Sequence, residues 1–339
     1  MQKFLVLCVL FIVFNHTTKA QSSYGGGDPT LESKGFRNFI GNFSVHASTG
    51  FGLTFYSHEI NGPGILQKID GSVYLFDNTF VIGDSLNTGY INWVNSAQAL
   101  GPVPIGDEDF LLHTDTAIVK YKGSSFNIPL SISVSYTFDR YRFGGGYSYE
   151  QALSPNYYPN IEPKNLNHFR PNYLTTSITR YYGYFGGDIY RSYRHTIAVD
   201  AKIGTYKFGT KNFNATQITT KLFFNLGISF ERSLSEYFKV YVRPSGELKN
   251  YSLMVPDLTY TINHSMPAFY VNVGAVMRMP DLRKCKVDKC KTQRNHRHGA
   301  KLYRSKVHPF WKWQNPNYGQ NYPSLIKYKG NNKRKLNPY

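Results

Sequence analysis

The residues best suited to metal or redox chemistry lie near the C-terminal end. Cys285 and Cys290 are separated by four residues, and His296 and His298 follow with one residue between them. Structural zinc sites use these side chains, usually as Cys-x2–4-Cys with His-x3–5-His. The cysteine spacing lies at the limit of that pattern, and the histidine spacing lies outside it. The sequence leaves three states open: a disulfide closing a short loop, a zinc site, or free thiols. It predicts no other cofactor.

Common catalytic motifs are absent from the sequence, which has no Gly-x-Ser-x-Gly, no His-Glu-x-x-His and no phosphate-binding loop. A lipid hydrolase or acyltransferase built on a barrel would use isolated serine and histidine residues. The histidines available for such a site are His46, His113 and His195. A single histidine in a strand is far more often an interior or surface residue, so the sequence predicts a protein that is not an enzyme.

The segment 280–339 carries most of the positive charge. The chain of 339 residues has a net charge of +18, and sixteen Lys and Arg against two Asp give residues 281–339 a charge of +14. Recurrent proline argues against a long helix, and spaced aromatic residues distinguish the segment from a simple disordered tail. Trp, Tyr and Arg are enriched at binding hot spots. We therefore expect a partner to bind Phe310, Trp311, Trp313, Tyr318, Tyr322, Arg304, Lys333, Arg334 and Lys335.

The first twenty residues have the features of an export signal. Lys3 precedes an apolar run from Phe4 to Phe14, and small residues at Thr18 and Ala20 fit a cleavage site before Gln21. The run is too short to span a bilayer as a helix. Export excludes nucleic acid as the expected partner of the basic segment. A mature chain with two cysteines favours a bacterial envelope protein over a disulfide-rich secreted protein of a eukaryote.

Apolar and polar residues alternate along the body of the chain. The clearest segments are 43–55, 128–138, 222–230 and 269–279, and weaker ones run through 140–150, 172–186, 192–206 and 237–249. Alternation places apolar side chains on one face of each strand. The segments are about 10–13 residues long, near the length of membrane-spanning strands. Short connections at Asp139-Arg140, Gly187-Asp188 and 234–236 alternate with long loops, as in outer-membrane barrels.

These features predict an all-β fold, namely a closed antiparallel transmembrane barrel of about ten strands, within a range of eight to twelve. Residues 78–110 are the segment that could add a pair of strands. The predicted organisation is a signal peptide at 1–20, a periplasmic segment at 21–38, the barrel at 39–279 and a basic periplasmic tail at 280–339. A soluble exported β-sandwich is the alternative, but it would have shorter strands and less regular loop lengths.

The body resembles the outer-membrane barrels of Bacteroidota-type bacteria. The resemblance lies in the Lys-Ala/Gln junction at residues 19–21 and in the hairpin Ile128-Pro129-Leu130…Tyr136-Thr137-Phe138 followed by 141–146. The triplets Asp84-Ser85-Leu86 and Asp115-Thr116-Ala117 are similar to those that these bacteria glycosylate. The resemblance covers about residues 1–280 and implies an outer-membrane location, with glycosylation at Ser85 or Thr116 left open.

The predicted polar faces carry charges of both signs. Those assigned to the interior are Arg142, Asp200, Lys202, Glu231 and Arg243. A barrel of about ten strands is narrow, whereas aqueous porin channels come with about 16–18 strands. Because unpaired buried charges are costly, we expect an interior plugged by ion pairs. A small solute channel is the alternative.

The interpretation that joins these features is a non-enzymatic accessory or scaffold subunit of an envelope complex for outer-membrane protein assembly or secretion. The barrel would contact the lipid bilayer with its lipopolysaccharide, and a larger barrel beside it. The tail would dock on periplasmic protein domains. Besides the channel, the remaining alternative is an anchor whose tail binds peptidoglycan.

Overall fold

A computed structural model describes most of the chain beyond residue 35. The described residues are 36–60, 62–77, 81–82, 85–86, 88–112, 119–159, 168–192, 194–235, 237–255, 261–280, 282–290, 292, 295–299, 301–306, 310, 328–329 and 334–335. The predicted signal peptide and nearly all of the segment 21–38 lie outside them. Within the described residues, no helix has the length and apolar character needed to cross a membrane.

Strands account for nearly all the regular structure. In chain order, the elements are α1 (Phe36–Gly41), β1 (Phe43–Ile60), β2 (Gly64–Gln67), β3 (Val73–Phe76), β4 (Val81–Ile82), β5 (Ser85–Leu86), β6 (Gly89–Ile91), β7 (Gln98–Leu100), β8 (Val103–Pro104), β9 (Phe110–Leu112), β10 (Val119–Phe138), β11 (Tyr141–Leu153), β12 (Tyr158–Pro159), β13 (Thr175–Arg191), β14 (His195–Phe208), β15 (Ile218–Thr220), β16 (Phe223–Ser233), β17 (Phe238–Leu248), β18 (Asn250–Met254), β19 (Thr261–Ser265), β20 (Ala268–Arg278), β21 (His296–His298), β22 (Lys301–Tyr303), β23 (Tyr328–Lys329) and β24 (Arg334–Lys335).

Eight long strands form an antiparallel ring. Strand β1 pairs with β10 on one side and with β20 on the other. Between these two neighbours the pairing continues through β11, β13, β14, β16 and β17, so the ladder returns to β1. The short strands β12, β15, β18 and β19 extend the same sheet. The prediction of an all-β fold around a large antiparallel ring is confirmed.

The eight long strands of the ring lie within the predicted range of eight to twelve, and residues 78–110 do not add a pair to them. The strands of this segment are two or three residues long, too short to extend from one end of the ring to the other. They belong instead to two small sheets, one ordered β7-β6-β3-β2-β9 and the other β4-β5-β8. Both sheets lie within the connection between β1 and β10.

Short and long connections separate to opposite ends of the ring. The tight-turn end carries the connections 139–140, 192–194 and 234–237, and the loop end carries 61–118, 154–174, 209–222 and 249–267. The turn predicted at Gly187-Asp188 is wrong, because β13 continues through these residues to Arg191. An irregularity in register between Asp188 and Tyr190 carries the strand onward, and the Asp188 side chain forms an ion pair with the interior residue Arg142.

The outer and inner faces of the ring reverse the pattern of a soluble protein. Large apolar side chains point outward; Ile128, for example, is 62% exposed. Inward side chains are polar and buried, and Arg142 is only 5% exposed. The same reversal recurs on every ring strand, and the outward apolar residues include Phe51, Phe126, Leu130, Ile132, Phe143, Phe185, Ile203, Leu226, Ile228, Phe269 and Val273.

An aromatic core closes the loop end. Trp93, from the connection between β1 and β10, is fully buried and stacks on Phe169, with ring centroids 4.9 Å apart. The Tyr251 hydroxyl donates a hydrogen bond to the Val94 carbonyl (2.8 Å), and Asn95 Nδ2 donates to the Asn212 carbonyl (2.6 Å). The segment 93–95 is thus held by residues of three other loops and covers this end of the interior.

Candidate functional site

The backbone brings the four candidate metal ligands of the tail together. His296 and His298 lie on β21, which forms a hairpin with β22 through a turn at Gly299, where φ is +59°. The backbone N–H of Cys285 donates to the Arg304 carbonyl (3.0 Å), which joins the cysteine segment to the end of this hairpin. Cys290 follows a tight turn in which its N–H donates to the Val287 carbonyl (3.1 Å).

The side chains of these four residues form a compact cluster. Their candidate ligand atoms all lie within 4.8 Å of one another. Cys285 Sγ lies 3.3 Å from His298 Nε2, and Cys290 Sγ lies 3.1 Å from His296 Nε2. The two Nε2 atoms are 3.1 Å apart. The two sulfurs are not bonded to each other. The set can therefore hold a metal ion. The spacing of the histidines differs from that of a helical zinc motif, yet their side chains still meet the two cysteines.

The environment of the cluster favours a thiolate. Partial burial by itself raises the pKa of the Cys290 thiol. Hydrogen bonds with Thr292, His298 and Cys285 outweigh burial and lower that pKa from 9.0 to about 6. The thiolate is the form of cysteine that binds metals, so the lowered pKa of Cys290 favours metal binding.

The ring's interior holds three groups of ion pairs. The group nearest the loop end contains none of the five charged residues that were predicted for the interior from the sequence. In this loop-end layer, Arg180 contacts Glu150 and lies 3.2 Å from Glu247, while Lys249 lies 3.4 Å from Glu150 and 3.2 Å from Glu247. The Tyr270 hydroxyl accepts hydrogen bonds from Lys249 (2.8 Å) and Arg180 (2.9 Å). Two carboxylates thus balance two cations in a site buried from solvent.

The middle layer contains three of the five charges predicted for the interior. Arg243 Nε donates to Asp200 (2.7 Å), and Arg243 Nη2 donates to the amide oxygen of Asn225 (2.7 Å). Lys202 is half-buried, and its Nζ lies 4.8 Å from the centre of the Tyr182 ring. The cation of Lys202 is therefore placed against an aromatic face.

The tight-turn layer contains the other two predicted charges. Arg142 contacts Glu231 and lies 2.6 Å from Asp188, while Lys239 lies 3.0 Å from Glu231. Asp188 and Lys239 complete this layer. Asp188 was not predicted to be an interior residue, because it had been assigned to a turn.

The described interior is too crowded for an open passage. The cavities between the layers include two of about 30 and 20 Å³, each large enough for about one water molecule. A wider cavity of about 350 Å³ lies at the tight-turn end, lined by residues that include Arg142, Asp188 and Lys239. At the loop end, the aromatic core around Trp93 covers the interior. The arrangement therefore fills the ring between the loop end and the tight-turn layer, and the wider cavity lies beyond that layer.

Of the three histidines considered for catalysis, the structure describes His46 and His195, which lie on opposite faces of the ring. His46 is buried inside the ring, with Nε2 2.8 Å from Ser135 Oγ. This is its one side-chain hydrogen bond among the described residues, so nothing described orients the imidazole as a third catalytic residue would. His195 is exposed beside a tight turn, and His113 lies outside the described residues.

The predicted partner-binding residues are only partly described. Arg304 bridges to Lys284 through the backbone, and Phe310 is half-buried. Arg334 and Lys335 form β24, which pairs with β23. Trp311, Trp313, Tyr318, Tyr322 and Lys333 lie outside the described residues, as do Thr116 and the side chain of Ser85.

The sequence matches no family model and no curated protein. Among solved structures, it is similar to the outer membrane protease OmpT from Escherichia coli, with 11% identity and a TM-score of 0.34; the match covers 71% of this chain and 97% of that one. It is also similar to a Pseudomonas aeruginosa FadL homologue, with 8% identity and a TM-score of 0.21, covering 71% and 91% of the two chains.

Proposed function

We propose that this chain is a non-enzymatic outer-membrane barrel that serves as an accessory subunit of an envelope complex. The barrel would anchor the complex in the bilayer, beside a larger barrel. The basic tail would dock on periplasmic domains of the partner, in a machine for outer-membrane protein assembly or secretion. The motifs of residues 19–21 and 128–146 favour a Bacteroidota-type bacterium as the source.

The outward apolar face supports the membrane location. Side chains such as Phe126, Ile128 and Leu130 would be exposed to water in a soluble protein, whereas in a bilayer they contact lipid. A closed ring would also pair both edges of each of the eight long strands, whereas lipid could not satisfy an unpaired edge. In barrels of this kind the short turns face the periplasm. Since β20 ends at the tight-turn end, a tail that follows it would then enter the periplasm.

The filled interior is the observation that carries the proposal. Three layers of ion pairs and the aromatic core around Trp93 occupy the space through which a solute would pass. A barrel that neither conducts nor catalyses could act through binding, either by its outer wall or by the segments outside the ring. The extension that differs most from the barrel is the tail, with its charge of +14 and spaced aromatic residues.

The test is affinity purification of the native protein from gently solubilised membranes. We expect the full chain to co-purify with a larger barrel and periplasmic proteins. A chain lacking residues 281–339 should remain a heat-modifiable barrel but lose the periplasmic partners. Replacing Trp311 and Trp313 with alanine should weaken the same association without altering the barrel. Retention of all partners by the truncated chain would contradict the proposal.

Three further measurements distinguish the alternatives. Stepwise conductance of the purified full chain in planar bilayers would favour the small channel, whereas a filled ring gives none. Pelleting of the full chain with purified peptidoglycan, lost on removal of 281–339, would favour the anchor. Turnover of lipid abolished by His46→Ala would favour an enzyme.

A further inference from the structure

We propose that Cys285, Cys290, His296 and His298 together bind one zinc ion as a closed structural site. This inference is independent of the docking role proposed above. It requires neither a partner protein nor a membrane orientation, but only the four side chains and the backbone that positions them.

The spacing of the ligand atoms matches a tetrahedral ion. Zinc bonds of about 2.3 Å to sulfur and about 2.0–2.1 Å to nitrogen give tetrahedron edges of about 3.3–3.8 Å. The two sulfur–nitrogen distances of 3.3 and 3.1 Å and the nitrogen–nitrogen distance of 3.1 Å lie near these edges. An ion could enter with shifts of a few tenths of an ångström along these three contacts, while the longest separation in the cluster, up to 4.8 Å, would shorten by about 1 Å.

The secondary structure explains why two histidines separated by one residue can bind the same ion. Residues i and i+2 of a strand point to the same face, so His296 and His298 on β21 present their imidazoles together. The cysteine segment reaches this face because Cys285 and Arg283 hydrogen-bond to the backbone of Arg304, next to the end of β22. Two ligands thus come from a hairpin strand and two from an adjoining loop.

Residues 282–306 form a small unit that a bound metal would stabilise. The described part of 282–306 has a single buried apolar side chain, that of Cys285. Units below about 40 residues usually need a metal, a disulfide or a partner to remain folded. Four covalently anchored ligands on one ion would supply the missing core.

The charge of the site agrees with zinc despite the basic surroundings. Residues 282–306 contain ten Lys and Arg against Asp288, a field that repels a free cation. Two thiolates and two neutral imidazoles around Zn²⁺ form an electrically neutral unit, so the assembled site is not opposed by that field. Sulfur and imidazole donors in tetrahedral geometry also favour zinc over magnesium or calcium.

The contacts of the sulfurs also favour a metal over a disulfide. Each sulfur lies against an imidazole nitrogen, Cys285 against His298 and Cys290 against His296. A disulfide would use the two cysteines alone and would give the histidines no role. All four residues converge in one cluster, which a metal ion accounts for and a disulfide does not.

The experiment uses the full chain purified in detergent without chelators. Metal analysis should find one zinc per chain, and the chelated, reduced protein should bind one equivalent of Co²⁺ with the absorption of tetrahedral cobalt thiolate. Cys290→Ser and His296→Ala should each weaken binding about a hundredfold or more, since even residues behind the ligands typically contribute 10–100-fold. Lys289→Ser in the same loop and His195→Ala at an exposed turn are the matched controls, and both should bind as the parent chain does.

Two results would overturn the inference. One is a chain isolated with its thiols oxidised to a disulfide and no bound metal. The other is a reduced chain, with two titratable thiols, that gives no cobalt thiolate absorption or gives the same absorption after Cys290→Ser. The strand content of every variant, measured by circular dichroism, should match the parent and so shows that a loss of metal is not a loss of the barrel.

Discussion

Buried charge in the loop-end layer is tolerated because each charge there has a partner of opposite sign. In the loop-end layer, Glu150 and Lys249 are at most 1% exposed, yet every carboxylate there contacts a cation. Removing one partner of a buried pair leaves an uncompensated charge, which costs far more than the pair itself contributes. The loss of any one charged side chain of this layer therefore destabilises the charges that remain.

Glu150→Gln should reveal this dependence. The change leaves Arg180 and Lys249 to share Glu247, and we expect the free energy of unfolding to fall by about 3–5 kcal/mol. The measurement is denaturant unfolding of the chain refolded into lipid vesicles. The control is Lys120→Gln, because Lys120 and Glu59 form a pair at 3.1 Å whose side chains are 44% and 45% exposed; its expected cost is below about 1 kcal/mol. Equal losses in the two variants would contradict this account.

Gly52 makes room for the same layer. It pairs with Tyr270 across the strands, and a methyl group added at this position would overlap the Tyr270 ring. Gly52→Ala should therefore displace the tyrosine and destabilise the chain by about 1–3 kcal/mol, the usual cost of overpacking. Gly246→Ala is the control, since an added methyl there meets no atom within 4 Å. A similar unfolding midpoint for both variants would rule out this role of Gly52.

Part of the interior could be predicted from residue order alone. Arg142 and Arg243 lie on polar faces, and a period of two extends those faces to Glu150 on β11 and to Glu247 on β17. Applying the same alternation to the whole of each strand would have found the loop-end layer. Which charges meet across the ring could not be predicted, because that depends on the strand register between segments far apart in sequence.

Among the elements, the sheet of β2, β3 and β9 shows how the long loop is fastened. Lys68 Nζ lies 2.7 Å from the Asp109 carboxylate and also contacts the Pro104 carbonyl. The same carboxylate accepts hydrogen bonds from the backbone N–H groups of Gly106 (2.7 Å) and Ile69 (3.3 Å). The Asp109 side chain thus ties residues 68–69 to residues 106–109.

The fastening at Asp109 should weaken in acid. The hydrogen bond from Lys68, followed by that from Gly106, holds the pKa of Asp109 below its usual value of 3.8. A lowered folded-state pKa stabilises the loop above the unfolded-state pKa, and this stabilisation is lost as pH falls through the folded value. We expect limited pepsin cleavage of 62–112 to rise as pH falls below about 4. Asp109→Asn should remove most of that rise, whereas Asp107→Asn at an exposed position should preserve it.

The element boundaries show why the β13–β14 turn was misplaced. Gly187 and Asp188 are typical turn residues, yet the strand continues because Asp188 pairs with Arg142 in the interior. A long-range ion pair here overrides a local preference. The short strands within 78–110 differ from β13. They pair with each other and with β2 and β3 in small sheets of the long loop, and they do not join the ring.

At the scale of the whole molecule, the apolar outer wall determines the solvent that the fold requires. Ile228 lies midway along β16 and is 44% exposed. Arginine at the lipid-facing midplane of a barrel typically costs about 2–4 kcal/mol. Ile228→Arg should therefore lower the stability in lipid vesicles by about this amount. Ile69→Arg, in the long loop and 74% exposed, should leave the stability nearly unchanged; equal effects would contradict the membrane assignment.

The seam between β1 and β20 has a consequence for folding. Arg278 Nη2 donates to Asn42 Oδ1 at 3.2 Å, across 236 residues of sequence. Contacts between such distant segments form slowly, because the intervening chain must first be brought together. Until residues 268–278 emerge from synthesis, β1 has no partner on one side and presents an edge open to aggregation. An unfinished chain would therefore need protection of this edge until β20, the strand directly before the tail, completes the ring.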